Sequence, residues 1–159
     1  YGSHTADNLK RILAINKLGK IKYFTKDELE LKYRSSNLTD EIIVLKADFS
    51  YKYSSKSEII KKKNYIKFKR EISQPIKEKT SGSTFKNPSG EYAAALIEKA
   101  GCKGMKNGGA FVSSIHSNFI INNGEATASD IENLGKKIIE QVEDKFGITL
   151  EWEIIIIGK

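Results

Sequence analysis

Thr127 to Gly147 reads TASDIENLGKKIIEQVEDKFG. Ile131, Leu134, Ile138, Val142 and Phe146 recur at the three- and four-residue spacing of one helical face. Thr127 or Ser129 can cap the helix, with Asp130 or Glu132 three residues further on, and Gly147 supplies a stop. A helix over Ala128–Phe146 is expected. Residues 150–157 (LEWEIIII) then read as a strand, and their unbroken apolar end predicts burial on both faces. Helix and strand together set an α+β expectation.

Upstream, residues 110–113 and 118–121 look like short strands, Asn123-Gly124 is a turn signal, and residues 104–109 form a loop. A helix is expected over 91–100, stopped by Gly101. Residues 73–90 (SQPIKEKTSGSTFKNPSG) hold both prolines and two glycines, and read as a boundary followed by a structured loop. Before them, 54–71 is read as a helix with a thin apolar stripe, since Ile59, Lys63, Ile66 and Arg70 fall near one face. The first third is strands and turns. Residues 11–15 and 21–24 can pair as a hairpin, 26–30 makes one helical turn, and 41–49 (EIIVLKADF) is a β-branched strand.

With 159 residues, the chain can bury a core as one domain or two small ones. Its 39% hydrophobic content argues against disorder. No apolar run of about 18 residues predicts a membrane helix, so no membrane partner is expected. The lone Cys102 offers no internal disulfide, which fits a reducing, cytoplasmic compartment. A net charge of +7 favours an anionic partner without choosing one. Only Arg11, Arg34 and Arg70 are arginines among 27 basic residues. Where this Lys-rich chain keeps Arg, the rigid fork that grips a carboxylate or phosphate is the reason to suspect a role.

The residues exclude several chemistries. Neither GxGxxG nor GxxxxGK[ST] occurs, and His4, His116 and Cys102 make a poor metal set. No nucleophile elbow supports His116 as a catalytic base, and a structural histidine is the simpler reading. Residues 82–88 (GSTFKNP) place a hydroxyl, an ammonium and an amide between a glycine that permits a tight path and a proline that fixes the exit. They read either as a polar ligand cradle or as a well-formed turn before a helix. The basic run between Lys61 and Arg70, interleaved with Tyr65 and Phe68, reads either as an RNA-binding module or as a solvated helix.

Three stretches resemble the C-terminal part of the UDP-N-acetylenolpyruvoylglucosamine reductase family: GSTFKNPSGEYAAALIEKAGCKG, GGAFVSSIHSNFIINNGEATASDIENL and FGITLEWEIIIIG. Tyr33-Arg34-Ser35-Ser36 resembles the family's YRxS segment, Arg70 with Gln74-Pro75 its R…QP approach, and Tyr1-Gly2-Ser3 the tail of its NAGAYGS stretch. The resemblance runs from end to end and in order. It implies the second half of a FAD-binding domain of the PCMH type over residues 1–72, then an α+β substrate-binding domain over 73–159. It also implies a fragment lacking the Gly-rich flavin segment, inactive alone, from the shorter branch without the Tyr-bearing insertion.

The activity implied is FAD- and NADPH-dependent reduction of UDP-N-acetylglucosamine enolpyruvate to UDP-N-acetylmuramate, an oxidoreductase step of peptidoglycan synthesis. Ser83 matches the serine that protonates the substrate, Arg34 matches the arginine that stabilises the developing charge, and Glu153 matches a glutamate that acts as a general acid or polarising group. Arg70, Lys86 and Asn87 match substrate-binding positions. The cofactor residues remain unassigned, the partner implied is a UDP-sugar rather than nucleic acid, and the oligomeric state is open. Two departures stand out. Trp152 replaces the common Pro before the glutamate, and Ile155 replaces an Arg two residues after it, which weakens the diphosphate grip.

Overall fold

The structure, a computed structural model, describes residues 2–158. Tyr1, part of the N-terminal resemblance, lies outside the described residues. The chain forms two compact units, Tyr1–Lys62 and Lys63–Lys159. The division falls inside a helix, ahead of the 72/73 boundary read from the composition shift.

In the first unit a short helix α1 (Thr5–Asn8) leads into β1 (Leu9–Asn16), β2 (Ile21–Thr25), a 3₁₀ turn (Asp27–Leu29) and β3 (Ile42–Phe49). The sheet order is β2-β1-β3, antiparallel throughout, with Ile12 opposite Phe24 on one side and Ala47 on the other. Gly19 turns the hairpin at φ +75. Leu9, Ile12, Ala14 and Leu29 form a small core backed by Phe24, Leu31, Leu38 and Ile42. Much of β3 is not covered: Ile43 is 65% exposed and Leu45 51%. Arg11 spends its fork inside the unit. Its Nε donates to Asp48 at 2.7 Å, and its guanidinium lies 4.5 Å from the Tyr23 ring centre. Lys46 and Arg11 together hold the Asp48 carboxyl below its ordinary value.

Helix α2 (Lys56–Ser73) buries none of its residues. The stripe of Ile59 and Ile66 is too thin to dock, because charges interrupt it on every turn. In the second unit, α3 (Ala93–Lys99), β4 (Lys106–Asn107), β5 (Ala110–Val112), β6 (Ile120–Asn122) and α4 (Ala128–Phe146) follow in order. The sheet runs β4-β5-β6, antiparallel. Residues 106–107, expected as loop, are therefore a strand. Asn107 pairs with Ala110 across Gly108, whose φ of +52 makes the tight return possible.

Leu134, Ile138 and Val142 of α4 are fully buried against Phe85, Ala93, Leu96, Ile97, Val112 and Leu150. The helix starts as read. Thr127 Oγ1 accepts from the Asp130 N–H at 3.1 Å, and the Asp130 carboxylate accepts from the Thr127 N–H at 2.9 Å. Those bonds lower the Asp130 pKa. Its stabilisation is thus present above the ordinary aspartate value and lost as pH falls through the lower folded one. Thr127→Ala is expected to destabilise the second unit by about 1 kcal/mol, read as a shifted urea midpoint with an unchanged slope.

The expected final strand does not form. Its first residues join the fold through the buried Leu150, the Phe85–Trp152 bridge and the backbone bonds of Glu151 and Glu153 to residues 84–86, whereas Ile155 and Ile157 are 86% and 88% exposed. Apolar content predicted burial, but beyond Glu153 the described chain offers no strand to pair with. Among the described residues, no helix is long and apolar enough to cross a membrane.

Candidate active site

Residues 83–86 thread between two other segments of the second unit. On one side Ser83 bridges Phe119, and the Thr84 N–H donates to the Asn118 carbonyl at 2.8 Å. On the other, the Lys86 N–H donates to the Glu151 carbonyl at 2.8 Å, and the Glu153 N–H donates to the Thr84 carbonyl at 2.9 Å. Gly82 enters at φ +93, a left-handed turn suited to glycine. Thr84 and Phe85 point inward, each 1% exposed, and Ser83 stays half-buried at the rim. The turn-versus-cradle alternative thus resolves into a rigid central thread, fixed by backbone bonds on both edges.

Asn118 is the residue that reading the sequence missed. It is 4% exposed. Its Nδ2 donates to the Phe85 carbonyl at 2.8 Å, and its Oδ1 accepts from the Phe85 N–H at 2.9 Å. An amide at the head of the apolar stretch Phe119 to Ile121 was the available signal, since a buried amide must find partners. The neighbouring His116 is half-buried, and burial lowers its pKa. Its Nδ1 accepts from the Asn118 N–H at 3.3 Å, and its ring meets Phe119 edge-on at 4.7 Å. That is a structural histidine, as read.

The other expected residues fall as follows. Glu153 lies beside the serine thread, half-buried. Lys86 Nζ meets Glu151 at 3.1 Å across the same ladder. Asn87 is exposed, yet its Oδ1 accepts from the Ala93 N–H at 3.0 Å and so satisfies the start of α3. Arg70, on α2, reaches Gln74 at 3.4 Å and lines a small cavity of about 290 Å³ with Lys63, Ile66, Lys67 and Ile76. Trp152, in place of proline, stacks on Phe85 with ring centres 5.0 Å apart and lies over Gly135 of α4. Any side chain at Gly135 would collide with that indole.

Arg34 belongs to the first unit. Lys32 and Ser35 bond backbone to backbone in both directions, at 3.0 and 3.3 Å, and Tyr33 and Arg34 form the tip of that turn. Arg34 has φ +52, a conformation that costs a non-glycine residue roughly 1–2 kcal/mol. Its guanidinium lies 4.9 Å from the Tyr33 ring centre. The turn lines an open cavity of about 930 Å³ with His4, Thr5, Ser36 and Leu38. Two cations, Lys32 and Arg34, and the hydroxyls of Thr5, Ser35 and Ser36 face it, and among the described residues no carboxylate lines it. That donor set fits an anionic, phosphate-bearing group. Among the described residues, no cluster of three His, Cys, Asp or Glu is placed to hold a metal.

The model of a family described as UDP-N-acetylenolpyruvoylglucosamine reductase, C-terminal domain, matches residues 74–157. A protein named UDP-N-acetylenolpyruvoylglucosamine reductase from Rickettsia akari is 45% identical over 159 residues, all of this chain and 54% of that protein. One of the same name from Parvibaculum lavamentivorans is 44% identical over 158 residues, 99% of this chain and 51% of that protein. The crystal structure of the reductase from Thermus caldophilus superposes with a TM-score of 0.79 at 34% identity, covering 93% of this chain and 53% of that one. The chain thus spans about half the length of the relatives it matches. Its α+β architecture and its serine thread lie within the matched span, and the chain belongs to the UDP-N-acetylenolpyruvoylglucosamine reductase family through that family's C-terminal domain.

Proposed function

We propose that this chain supplies the substrate half of a reductase that converts UDP-N-acetylglucosamine enolpyruvate to UDP-N-acetylmuramate in the cytoplasm, with FAD as cofactor and NADPH as co-substrate. Residues 1–72 serve in this reading as the second half of the flavin-binding domain. A flavin bound to the full-length protein would supply the hydride that adds at C3 of the enolpyruvyl group. Ser83 Oγ gives its proton to C2 and regains one from solvent, so the double bond gains two hydrogens and two electrons. Charge that builds at C2 and on the carboxylate is stabilised by Arg34, with Glu153 as a general acid or polarising group. Arg70, Lys86 and Asn87 orient the sugar nucleotide, with Arg70 directed at the diphosphate and neighbouring lysines standing in for the family arginine replaced by Ile155.

The observation that carries this reading is the serine thread: Ser83 rests at the rim of a segment fixed on both edges, with Glu153 on the adjoining segment. A weak acid such as a hydroxyl needs that kind of fixed placement to donate in a transition state. Lys86 and Asn87 already hold partners, Glu151 and the α3 amide. Substrate must therefore recruit their remaining hydrogen-bond capacity or exchange with Glu151.

The test uses a full-length reductase carrying this chain. NADPH oxidation should depend on the enolpyruvyl substrate. A flavin-loaded protein whose NADPH oxidation ignores that substrate overturns the assignment. The 159-residue chain by itself is expected to bind FAD weakly or not at all. Purification with stoichiometric yellow flavin would contradict that part.

A further inference from the structure

We infer that Asn118 is a positioning residue for proton donation by Ser83, a role that rests on the function proposed above. Its side chain stands in for a strand. One amide supplies both a donor, at 2.8 Å, and an acceptor, at 2.9 Å, to the backbone of Phe85. Its own carbonyl takes the Thr84 N–H at 2.8 Å, and the next residue, Phe119, bridges Ser83. Four consecutive residues, Ser83 to Lys86, are thus registered against fixed neighbours, and Asn118 supplies three of those bonds. The amide is 4% exposed, so water does not substitute readily for it. Its N–H is also tied to His116 Nδ1 at 3.3 Å, which steadies the clamp itself.

Few side chains can do this. Asp keeps the acceptor but turns the donor toward the Phe85 carbonyl into a repulsion. Leu keeps the volume and loses both bonds. Gln keeps both groups on an arm one methylene longer. The geometry therefore ranks the variants, with Gln milder than Asp. A displacement of about 1 Å at the acid can cost on the order of 100-fold in rate.

Flavin reduction and flavin reoxidation separate a positioning role from a general folding role, because only reoxidation by the enolpyruvyl substrate uses Ser83. In a full-length reductase carrying this chain, Asn118→Asp is expected to keep its flavin content and its rate of flavin reduction by NADPH within about twofold. Substrate-dependent reoxidation should slow about 10- to 100-fold, with kcat falling more than KM changes. Asn118→Gln should slow the same step less. Faster hydrogen exchange at the amides of Thr84 to Lys86 should accompany both. The inference is overturned if reoxidation by Asn118→Asp stays within twofold of the parent, or if both half-reactions slow equally while flavin content is kept. Should the Asp variant lose flavin, Asn118→Gln decides: parental reoxidation there overturns the role. If the parent enzyme's reduced flavin is not reoxidised by this substrate, the functional reading itself has failed, and the inference falls with it.

Discussion

Ser83→Ala in a full-length reductase carrying this chain is expected to lower substrate-dependent NADPH oxidation by about 10²- to 10⁴-fold, the usual contribution of a placed general acid. Flavin reduction by NADPH should be unaffected, because the hydroxyl takes no part in it. The substitution removes one oxygen at a half-buried rim position and leaves the backbone bridge to Phe119 in place. Stability should therefore change little, which makes the kinetic loss interpretable. Stopped-flow traces of the two half-reactions are the measurement. An alanine variant that reoxidises at the parental rate would show that another group protonates C2. Glu153, on the adjoining segment, would then be the residue to examine.

Phe85→Ala is expected to cost the second unit about 3–5 kcal/mol, the usual range for emptying a fully buried aromatic site. Phe85 is the largest of the fully buried side chains and is 1% exposed. Its ring supports Trp152, whose indole in turn lies over Gly135. Deleting the ring therefore loosens the contact between the serine thread, the 151–153 segment and α4 together. Thermal or urea unfolding of the full-length protein should show the loss. A cost below about 1 kcal/mol would mean that Trp152 collapses into the space and that the stack contributes little.

Both substitutions act on one extended segment, two residues apart, with separable effects. Position 83 faces the rim and governs rate, whereas position 85 faces the core and governs stability.

Several features were set by the sequence alone because their causes are local. Ile131, Leu134, Ile138 and Val142 give α4 its apolar face, Thr127 and Asp130 its start, and Gly147 its end at φ +65. All of these act within a few residues. The hairpin of β1 and β2, the helix ending before Gly101 and the loop from Gly82 to Pro88 were legible for the same reason. Family membership was legible because motifs such as GSTFKNP survive as strings. Tertiary structure decided the rest. Residues 154–157 carry as much apolar character as a buried strand, but burial needs a partner, and the described fold offers none there. Residues 106–107 carry no strand signal and pair because Ala110 and Phe111 are brought back against them. Asn118 read only as the first residue of a short strand. Its meaning came only when the fold placed the Phe85 peptide within reach of its amide, 33 positions earlier in the chain. Short-range signals are written in consecutive residues, whereas a hydrogen bond across that separation exists only after the segments between have folded.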